Sequence, residues 1–457
     1  MAKGWSCGAA LAVAALVFVA PAAAKMTAEQ RIEQLERALK AAQDEIQDLK
    51  REVRSNQQAQ EATQQQVQQA TQQAAEATKS ASAIDTLQKR IPSWLERISL
   101  FGDLRIRHDG FYHMDVPHGT YAVARNRERF RARIGLRYTY SDELSATLRL
   151  ASGDPNDPIS TNQTFANGFT RKNINLDWAF LTVSPGRTFG WRPGVLELQG
   201  GKMPLPFFKP TEMVWDDDLS VEGFSQRVRV LDKPIAWLDQ VNVWGEQWTT
   251  QEVSNHEDGW IFGGQINPQG HAFGASTWEL GVGHFWYLNP GLIAQQLNTN
   301  KSLFNSNAVD TADGKITDYA SGFSETELAA QLIVPDVALG MPLIPYAEYV
   351  YNWQGVTNRK NGVTGGLRFG RPSKRGDWAL VAQYEYLQRE AALSAFAWSD
   401  FGPGGTNLQG PTIGADYQLF DPLVLQVRSS FVNYIDRPAD TPNKTGVRLL
   451  VDAMVKF

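Results

Sequence analysis

The amino-acid sequence predicts an all-β fold: a 16-stranded antiparallel transmembrane β-barrel preceded by an N-terminal α-helical coiled coil. Three observations carry this prediction. The spacing of apolar residues changes near residue 97 from about 3.5, the period of a coiled coil, to about 2, the period of a strand. Segments with the shorter period recur to the C-terminus. The links between them are alternately short and long, which is typical of transmembrane barrels.

Residues 1–24 have the composition of a secretory signal peptide. Lys3 supplies the positive charge, residues 9–20 form an apolar run, and the three alanines at 22–24 offer a cleavage site. The alternative is an N-terminal buried helix, and the run is too short to span a bilayer. The single cysteine, Cys7, lies in this segment, so an exported chain would form no disulfide or thiolate metal site.

Residues 27–90 carry a heptad repeat, which predicts a periplasmic coiled coil. The first half has an apolar seam, whereas the second half is rich in Gln and Ala, and such layers weaken helix association. The alternatives are a single solvated helix or a disordered linker. Ile91 and Pro92 end the helical pattern. The apolar seam consists of Ile32, Leu35, Leu39, Ala42, Ile46, Leu49 and Val53.

Residues 97–457 form the predicted outer-membrane β-barrel. The chain is 42% hydrophobic, an ordinary value that a barrel tolerates because lipid-facing and lumen-facing residues alternate. The terminal strand ends at Phe457, which resembles the insertion signal of outer-membrane barrels. The predicted strands are 98–109, 124–140, 143–152, 173–184, 194–203, 221–231, 235–248, 258–268, 274–287, 322–334, 344–354, 361–371, 375–389, 410–420, 422–435 and 444–457.

Five arginines occupy one face of the predicted second strand. In a packed core they would repel each other and would be costly to desolvate. A water-filled lumen removes this conflict, because solvated cations can line its wall and bias what passes. The alternative is the exposed face of a soluble strand. The predicted pore-lining basic wall comprises Arg105, Arg107, Arg125, Arg127, Arg129, Arg131, Arg133, Arg137 and Arg149.

The third long link, from Lys202 to Gly223, is the predicted constriction loop. It contains three prolines, then Trp215 followed by Asp216, Asp217 and Asp218. Prolines and aromatic residues favour one fixed conformation. If this link folds into the lumen, its three carboxylates would face the basic wall and create a transverse field that orients polar solutes. The alternatives are an acidic surface loop or a divalent-cation site.

Composition and motifs favour transport over catalysis. The net charge of −5 gives no indication of nucleic-acid binding. The sequence contains no HExxH, GxSxG or Walker-type motif. We therefore predict no catalytic residue, no metal site and no cofactor. A barrel enzyme stays open as the weaker alternative, since some outer-membrane enzymes are barrels.

Several stretches resemble a family of porins of Gram-negative bacteria. The resemblance lies in GDLRIR at 102–107, RNRERFRARIGL at 125–136, RLASGDPNDPISTNQTF at 149–165, GKMPLPF at 201–207 and VWDDDLSVEG at 214–223. It implies a 16-stranded, trimeric porin. A looser similarity to phosphate-selective porins rests on the combination of a coiled coil with basic lumen residues.

These features together predict passive diffusion of small hydrophilic solutes or ions through a water-filled barrel in the cell outer membrane, with the coiled coil in the periplasm. The predicted partners are outer-membrane lipid and lipopolysaccharide, the barrel assembly machinery and two further copies of the chain. The alternative function is an envelope tether in which the coiled coil contacts peptidoglycan.

Overall fold

A computed structural model describes residues 94–113, 115–116, 120–121, 125–165, 168–231, 233–437 and 444–457, together with Pro92 and a set of positions between 29 and 73. The chain divides into two compact units, Met1–Pro92 and Ser93–Phe457. The predicted signal peptide, residues 1–24, lies outside the described residues.

In the first unit, every described position between residues 29 and 73 is helical, and residues 43–55 are helical without interruption. The helix agrees with the heptad pattern. Its seam residues Ile46, Leu49 and Val53 are all exposed. Their association into a coiled coil stays a prediction, as does the part of it beyond residue 73. No helix among the described residues is long and apolar enough to cross a membrane.

The second unit is a closed barrel of 16 long antiparallel strands. Consecutive strands pair with each other, and the first strand also pairs with the last, so that Gly110 lies opposite Leu449. Each predicted strand overlaps an observed one, and the boundaries differ by four residues at most. The barrel strands are β1 Ile98–Tyr112, β2 Arg125–Ser141, β3 Leu144–Ser152, β4 Ile174–Val183, β5 Leu196–Pro204, β6 Ser220–Leu231, β7 Leu238–Gln251, β8 Gly259–His271, β9 Thr277–Leu288, β10 Ser324–Ala338, β11 Met341–Asn352, β12 Asn361–Phe369, β13 Trp378–Leu387, β14 Leu408–Phe420, β15 Leu423–Tyr434 and β16 Gly446–Lys456.

The pleat of each strand separates two kinds of side chain. Along β1, Leu104 and Ile106 are 47% and 45% exposed, whereas Arg105 and Arg107 between them are 8% and 3% exposed. Successive residues of a strand point to opposite faces, so the apolar residues face outward and the charged residues face inward. An apolar exterior around a polar interior is the pattern of a transmembrane barrel and the reverse of a soluble core.

One predicted link is wrong in length. The segment 335–343 was expected to be a long connection, but β10 continues to Ala338 and a two-residue turn, Leu339 and Gly340, leads into β11. Both turn residues have positive φ, 56° and 69°, as in the turns that best fit the twist of a hairpin. The sequence misled because Pro335 lies within the strand, where the register is irregular and Asp336 has a φ of 53°. Proline is tolerated in strands at such irregularities.

The long loops lie at one end of the barrel. The start of β1 and the end of β16 lie at the other end. Four of the long loops matter for the interior: loop 2 (153–173), loop 3 (205–219), loop 5 (289–323) and loop 7 (388–407). Loop 5 contains a short helix, α1 (Gly291–Gln296), and a hairpin of Val309–Ala312 with Lys315–Tyr319. The sequence analysis predicted neither. Loops 3, 5 and 7 supply much of the main buried apolar cluster, which they form with inward-facing strand residues.

Candidate functional site

The predicted basic wall is an ion-pair network. Its nine arginines occupy inward-facing positions of β1, β2 and β3, but most are not solvated. Arg125 and Arg137 are exposed, Arg127 and Arg133 are half-buried, and the other five are buried. The expectation of a hydrated row of cations is therefore wrong for those five. The physical reason is that carboxylates from adjacent strands and from two loops pair with four of them. The fifth, Arg105, has one carboxylate contact, at 4.0 Å.

The strand register brings the first carboxylates to the wall. Asp103 of β1 lies opposite Arg133 of β2, and its two oxygens accept from Arg133 Nε at 2.7 Å and from Arg131 Nε at 2.8 Å. Asp109 lies opposite Arg127 and accepts from its Nη2 at 2.7 Å. Asp103 and Asp109 of β1 therefore each face an arginine of β2 across a single antiparallel ladder. They reduce the repulsion that arises because Arg105 and Arg107 of β1 lie opposite Arg131 and Arg129.

The last strand completes the wall. Asp452 of β16 lies opposite Arg107 and accepts two hydrogen bonds from it, at 2.7 and 2.8 Å. Arg448 donates to Asp109 at 3.0 Å. Asp400 of loop 7 accepts from Arg107 at 2.6 Å and from Arg448 at 3.0 Å. Arg448 and Asp452 were not among the residues predicted for the wall.

Arg149 is held separately, on β3. Its Nε donates to Asp177 at 2.5 Å, and its guanidinium carbon lies 3.2 Å from the centroid of the Trp178 ring. Both partners belong to β4. A guanidinium that is paired on one side and stacked on an aromatic face has little freedom to move.

Loop 3 crosses the barrel interior, and an aromatic cluster holds it on one side. The Phe207 ring lies 4.9 Å from that of Phe285 on β9, and the Trp215 ring lies 5.3 Å from the same ring. Trp248 on β7 stacks at 6.1 Å from Phe207. Trp215 is fully buried, and its Nε1 donates to Glu327 of β10 at 2.7 Å. We call Phe207, Trp215, Trp248 and Phe285 the aromatic anchor.

Asp218 holds the other end of loop 3 against the basic wall. Its Oδ1 accepts from Arg133 Nη1 at 3.1 Å and from Arg131 Nη1 at 3.3 Å. Its Oδ2 accepts from the backbone N–H and the hydroxyl of Thr161 in loop 2, at 3.1 and 3.0 Å. Charge-assisted bonds of this kind are the stronger class of protein hydrogen bond. Loop 3 is therefore attached to β2 as well as to β7, β9 and β10.

The expectation that three adjacent carboxylates face the arginines is only partly right. Asp218 contacts the wall. Asp217 instead pairs with Lys209 of the same loop. Asp216 accepts backbone hydrogen bonds at 2.8 Å from Asp218 and from Ser399 of loop 7. The turn at these residues sends consecutive side chains in different directions, and this cannot be seen from a run of three aspartates.

The space between loop 3 and the wall is a cavity of about 650 Å³. Five arginines of the predicted wall line it, namely Arg105, Arg107, Arg131, Arg133 and Arg149. The opposite side is formed by β12 to β15, which contribute two arginines that the sequence analysis missed, Arg368 and Arg428. Each pairs with Asp416, at 2.6 and 2.7 Å. Each arginine is the single charged residue of its strand, so no local charge pattern marked it.

The pKa values of Asp216 and Asp218 in loop 3 are shifted in opposite directions. Burial raises the pKa of Asp216 to about 8, and the negative charge of Asp218 acts in the same direction. Burial also acts to raise the pKa of Asp218, but the charges of Arg131 and Arg133 outweigh it and lower the pKa to about 2. Arg107 and Arg448 overcome burial in the same way and hold the pKa of Asp400 well below its ordinary value. The wall-side carboxylates of the loops are therefore ionised at neutral pH.

This difference predicts a pH-dependent ion preference. As pH rises through about 8, Asp216 should lose its proton and add a negative charge to the cavity lining. The ratio of anion to cation permeability should therefore fall between about pH 7 and 9, measured as a reversal potential across a planar bilayer under a salt gradient. Asp216→Asn should abolish the transition.

Asp217→Asn is the matched control for that experiment. Asp217 lines the same cavity but is largely exposed and pairs with Lys209. Its neutralisation should offset the reversal potential without removing the transition near pH 8. A transition that survives in Asp216→Asn would assign the titration to another group.

The divalent-cation reading of loop 3 finds no geometry in its favour. Across the part of the chain that the structure describes, no three or more His, Asp or Glu side chains are grouped so that they could hold a metal ion. The carboxylates of loop 3 are instead directed to arginine, lysine and backbone N–H partners.

Comparison with known proteins identifies the family. A family model described as "Putative porin" matches residues 113–326 and 317–457. This chain belongs to that porin family. The resemblance noted in the sequence is thus confirmed. Family and fold indicate an outer-membrane channel. No curated protein matches the porin.

Three solved structures are similar to this chain, and the first of them supports the barrel fold. Pseudomonas putida OprB superposes on the porin with a TM-score of 0.50 at 10% identity, over 79% of this chain and 95% of that one. Salmonella typhi OmpF, in a complex with daunomycin, has a TM-score of 0.45 at 13% identity, over 79% and 97% of the two chains. Vibrio cholerae OmpT in its trimer form has a TM-score of 0.43 at 10% identity, over 79% and 99%.

Proposed function

We propose that this porin lets small hydrophilic solutes and ions diffuse passively through a lumen that loop 3 narrows. The observation that carries the proposal is the double attachment of loop 3, at the aromatic anchor and at Asp218, across the barrel interior. A loop fixed on both sides leaves a defined opening, in this case the cavity of about 650 Å³ beside the basic wall. The charged lining keeps that opening hydrated.

The lining favours anions. It contains nine basic and six acidic side chains. A ring or wall with excess charge of one sign enriches counter-ions and repels ions of its own sign. The sequence as a whole has a net charge of −5 and gave no reason to prefer anions. The preference is thus a property of the narrow part of the lumen.

Planar-bilayer recording tests the proposal. Purified porin should give discrete ion-conducting steps, with a reversal potential on the anion side under a KCl gradient. Arg368→Gln combined with Arg428→Gln should shift the reversal potential toward cations, because both side chains line the cavity and neither holds loop 3. Arg371→Gln, in the exposed turn after β12, is the control and should have no effect. Inserted protein without conducting steps would sink the proposal.

We further propose the domain plan of the sequence analysis: a signal peptide at 1–24, a periplasmic coiled coil at 27–90 and the barrel at 97–457. The exposure of Ile46, Leu49 and Val53 along one helix supports the coiled coil, because an apolar seam in water is stabilised by a second helix. Three copies of the chain would then form a homotrimer. Contact with peptidoglycan, lipopolysaccharide and the barrel assembly machinery belongs to the same proposal.

Deletion of residues 27–90 separates assembly from tethering. If the coiled coil assembles the oligomer, the deleted porin should run as a monomer on a native gel and should still conduct in bilayers. Loss of envelope integrity in cells with the oligomer intact would instead favour the tether. Ile46→Asp with Leu49→Asp is the companion variant, because it disrupts the seam without shortening the chain. A trimer unaffected by both changes would contradict an assembly role.

A further inference from the structure

We infer that Arg105 is the centre of a binding site for small oxyanions, such as carboxylates or inorganic phosphate, in the narrow part of the lumen. The inference rests on the proposed function, because an anion must reach Arg105 through the lumen. It goes beyond that function, since a pore can favour anions through its field alone without holding any one of them at a site.

The wall carries an excess of positive charge. Seven arginines and five aspartates of the described residues form one connected network. Each of the five carboxylates already contacts an arginine other than Arg105 within about 3 Å. The network therefore has two positive charges more than its own carboxylates can neutralise. Its members are Arg105, Arg107, Arg127, Arg129, Arg131, Arg133 and Arg448 with Asp103, Asp109, Asp218, Asp400 and Asp452.

Arg105 has the fewest close carboxylate contacts of the arginines in this network. Its one hydrogen bond to a described side chain is neutral, from Nη2 to Asn162 Oδ1 at 2.7 Å. Its carboxylate contact, from Nη1 to Asp452, is 4.0 Å long. Its Nε is buried without a partner. Arg107, two residues along the same strand, has carboxylate contacts at 2.6, 2.7 and 2.8 Å.

A buried guanidinium with so little compensation is costly by itself. Arg105 is 8% exposed, so water can replace few of the hydrogen bonds that it lacks. A bound oxyanion would supply the absent negative charge and would accept hydrogen bonds from the N–H groups that have no partner. Since a guanidinium presents parallel N–H groups in one plane, it suits the paired oxygens of a carboxylate or a phosphate.

A solute in the lumen can reach Arg105. Arg105 lines the cavity of about 650 Å³, and Arg131, Arg133 and Asn162 line the same space. An anion at Arg105 would therefore meet other donors without leaving the solute path. The surrounding aspartates limit how tightly it can be held. Weak binding suits transport, because an ion must enter the site favourably and must also leave it.

The test uses the purified full-length porin in planar bilayers at constant ionic strength. Chloride current is recorded while chloride is replaced stepwise by inorganic phosphate, and in a second series by acetate. A site at Arg105 predicts that current falls saturably with phosphate or acetate. Arg105→Gln should weaken this block at least about tenfold, the effect of losing one charge-assisted hydrogen bond, when the block is measured relative to the chloride current of the same variant without phosphate or acetate.

Two further variants make the result specific. Arg428→Gln removes a positive charge from the opposite side of the same cavity and should leave the block almost intact. Arg105→Lys keeps the charge but loses the planar donor pair, so its block should lie between wild type and Arg105→Gln. The lysine variant also serves if Arg105→Gln fails to fold.

The outcomes separate the site from the proposed function. A porin that conducts chloride without any saturable effect of phosphate or acetate would overturn the site and leave passive diffusion standing. Equal weakening by Arg105→Gln and Arg428→Gln would also overturn it, because the block would then reflect the general field. A protein that inserts and conducts nothing would overturn the proposed function itself.

Discussion

Trp215→Ala should widen the pore. Trp215 is fully buried against Trp248 and Phe285, at ring distances of 5.9 and 5.3 Å, and its Nε1 donates to Glu327. Truncation of a buried tryptophan costs about 3–5 kcal/mol and leaves the Glu327 carboxylate without this donor. Loop 3 would lose one of its two rings in the aromatic anchor and would be held on that side by Phe207 alone, while the barrel strands keep their ladders. Single-channel conductance should rise severalfold, and larger sugars should enter in liposome-swelling assays.

Trp215→Phe is the control for that experiment. Phenylalanine keeps the ring contacts and loses the hydrogen bond to Glu327, so conductance should change little. Limited proteolysis gives a second measurement: cleavage within residues 205–219 should appear in Trp215→Ala and not in wild type. A conductance that is the same in all three proteins would mean that loop 3 does not limit the current.

Asp218→Ala should release loop 3 from the opposite side and make the lumen more anion-selective. The change removes the carboxylate that pairs with Arg131 and Arg133 and that accepts two hydrogen bonds from Thr161. Breaking one partner out of a buried ion pair costs about 3–5 kcal/mol. The wall would keep Asp103 as its carboxylate at these two arginines. The folded form should melt at a lower temperature, and the reversal potential should move further toward anions.

Asp218→Asn separates the two effects. The amide oxygen can still accept from Thr161, so the loop should hold better than in Asp218→Ala, whereas the charge is removed in both variants. Asp218 is ionised near neutral pH because its pKa is lowered to about 2, so the stability that it contributes should disappear only as pH falls toward that value. A variant pair with unchanged selectivity would place Asp218 outside the conduction path.

The barrel could be predicted from sequence because its physics is periodic. Lipid outside and water inside impose an alternation that each strand repeats, as with Leu104, Arg105 and Ile106. The position of loop 3 followed from the alternation of short and long links. Its internal arrangement did not follow, since a loop has no period. The sequence could not indicate that Trp215 turns toward β9 and β10 while Asp218 turns toward β2.

The pairing of the basic wall was also beyond sequence reasoning. Five arginines on one strand suggested solvation, because their partners lie far along the chain. Asp103 could be matched to Arg133 only once the register across the first loop was known. Asp400 reaches Arg107 from loop 7, 293 residues away. Such contacts depend on how loops fold back into the barrel, and neither composition nor spacing encodes that locally.

The basic wall joins the first strand of the barrel to the last, and this has a consequence for assembly. Arg107 belongs to the first strand and Asp452 to the last, 345 residues apart. Contacts of such high sequence separation form late in folding, because the entropy of closing the chain must be overcome first. Until β16 is in place, Arg107 of β1 therefore lacks its two hydrogen bonds to Asp452. A barrel that has not yet closed would present this cationic side chain without its Asp452 partner at the open seam. Pairing with β16 on closure would neutralise the charge.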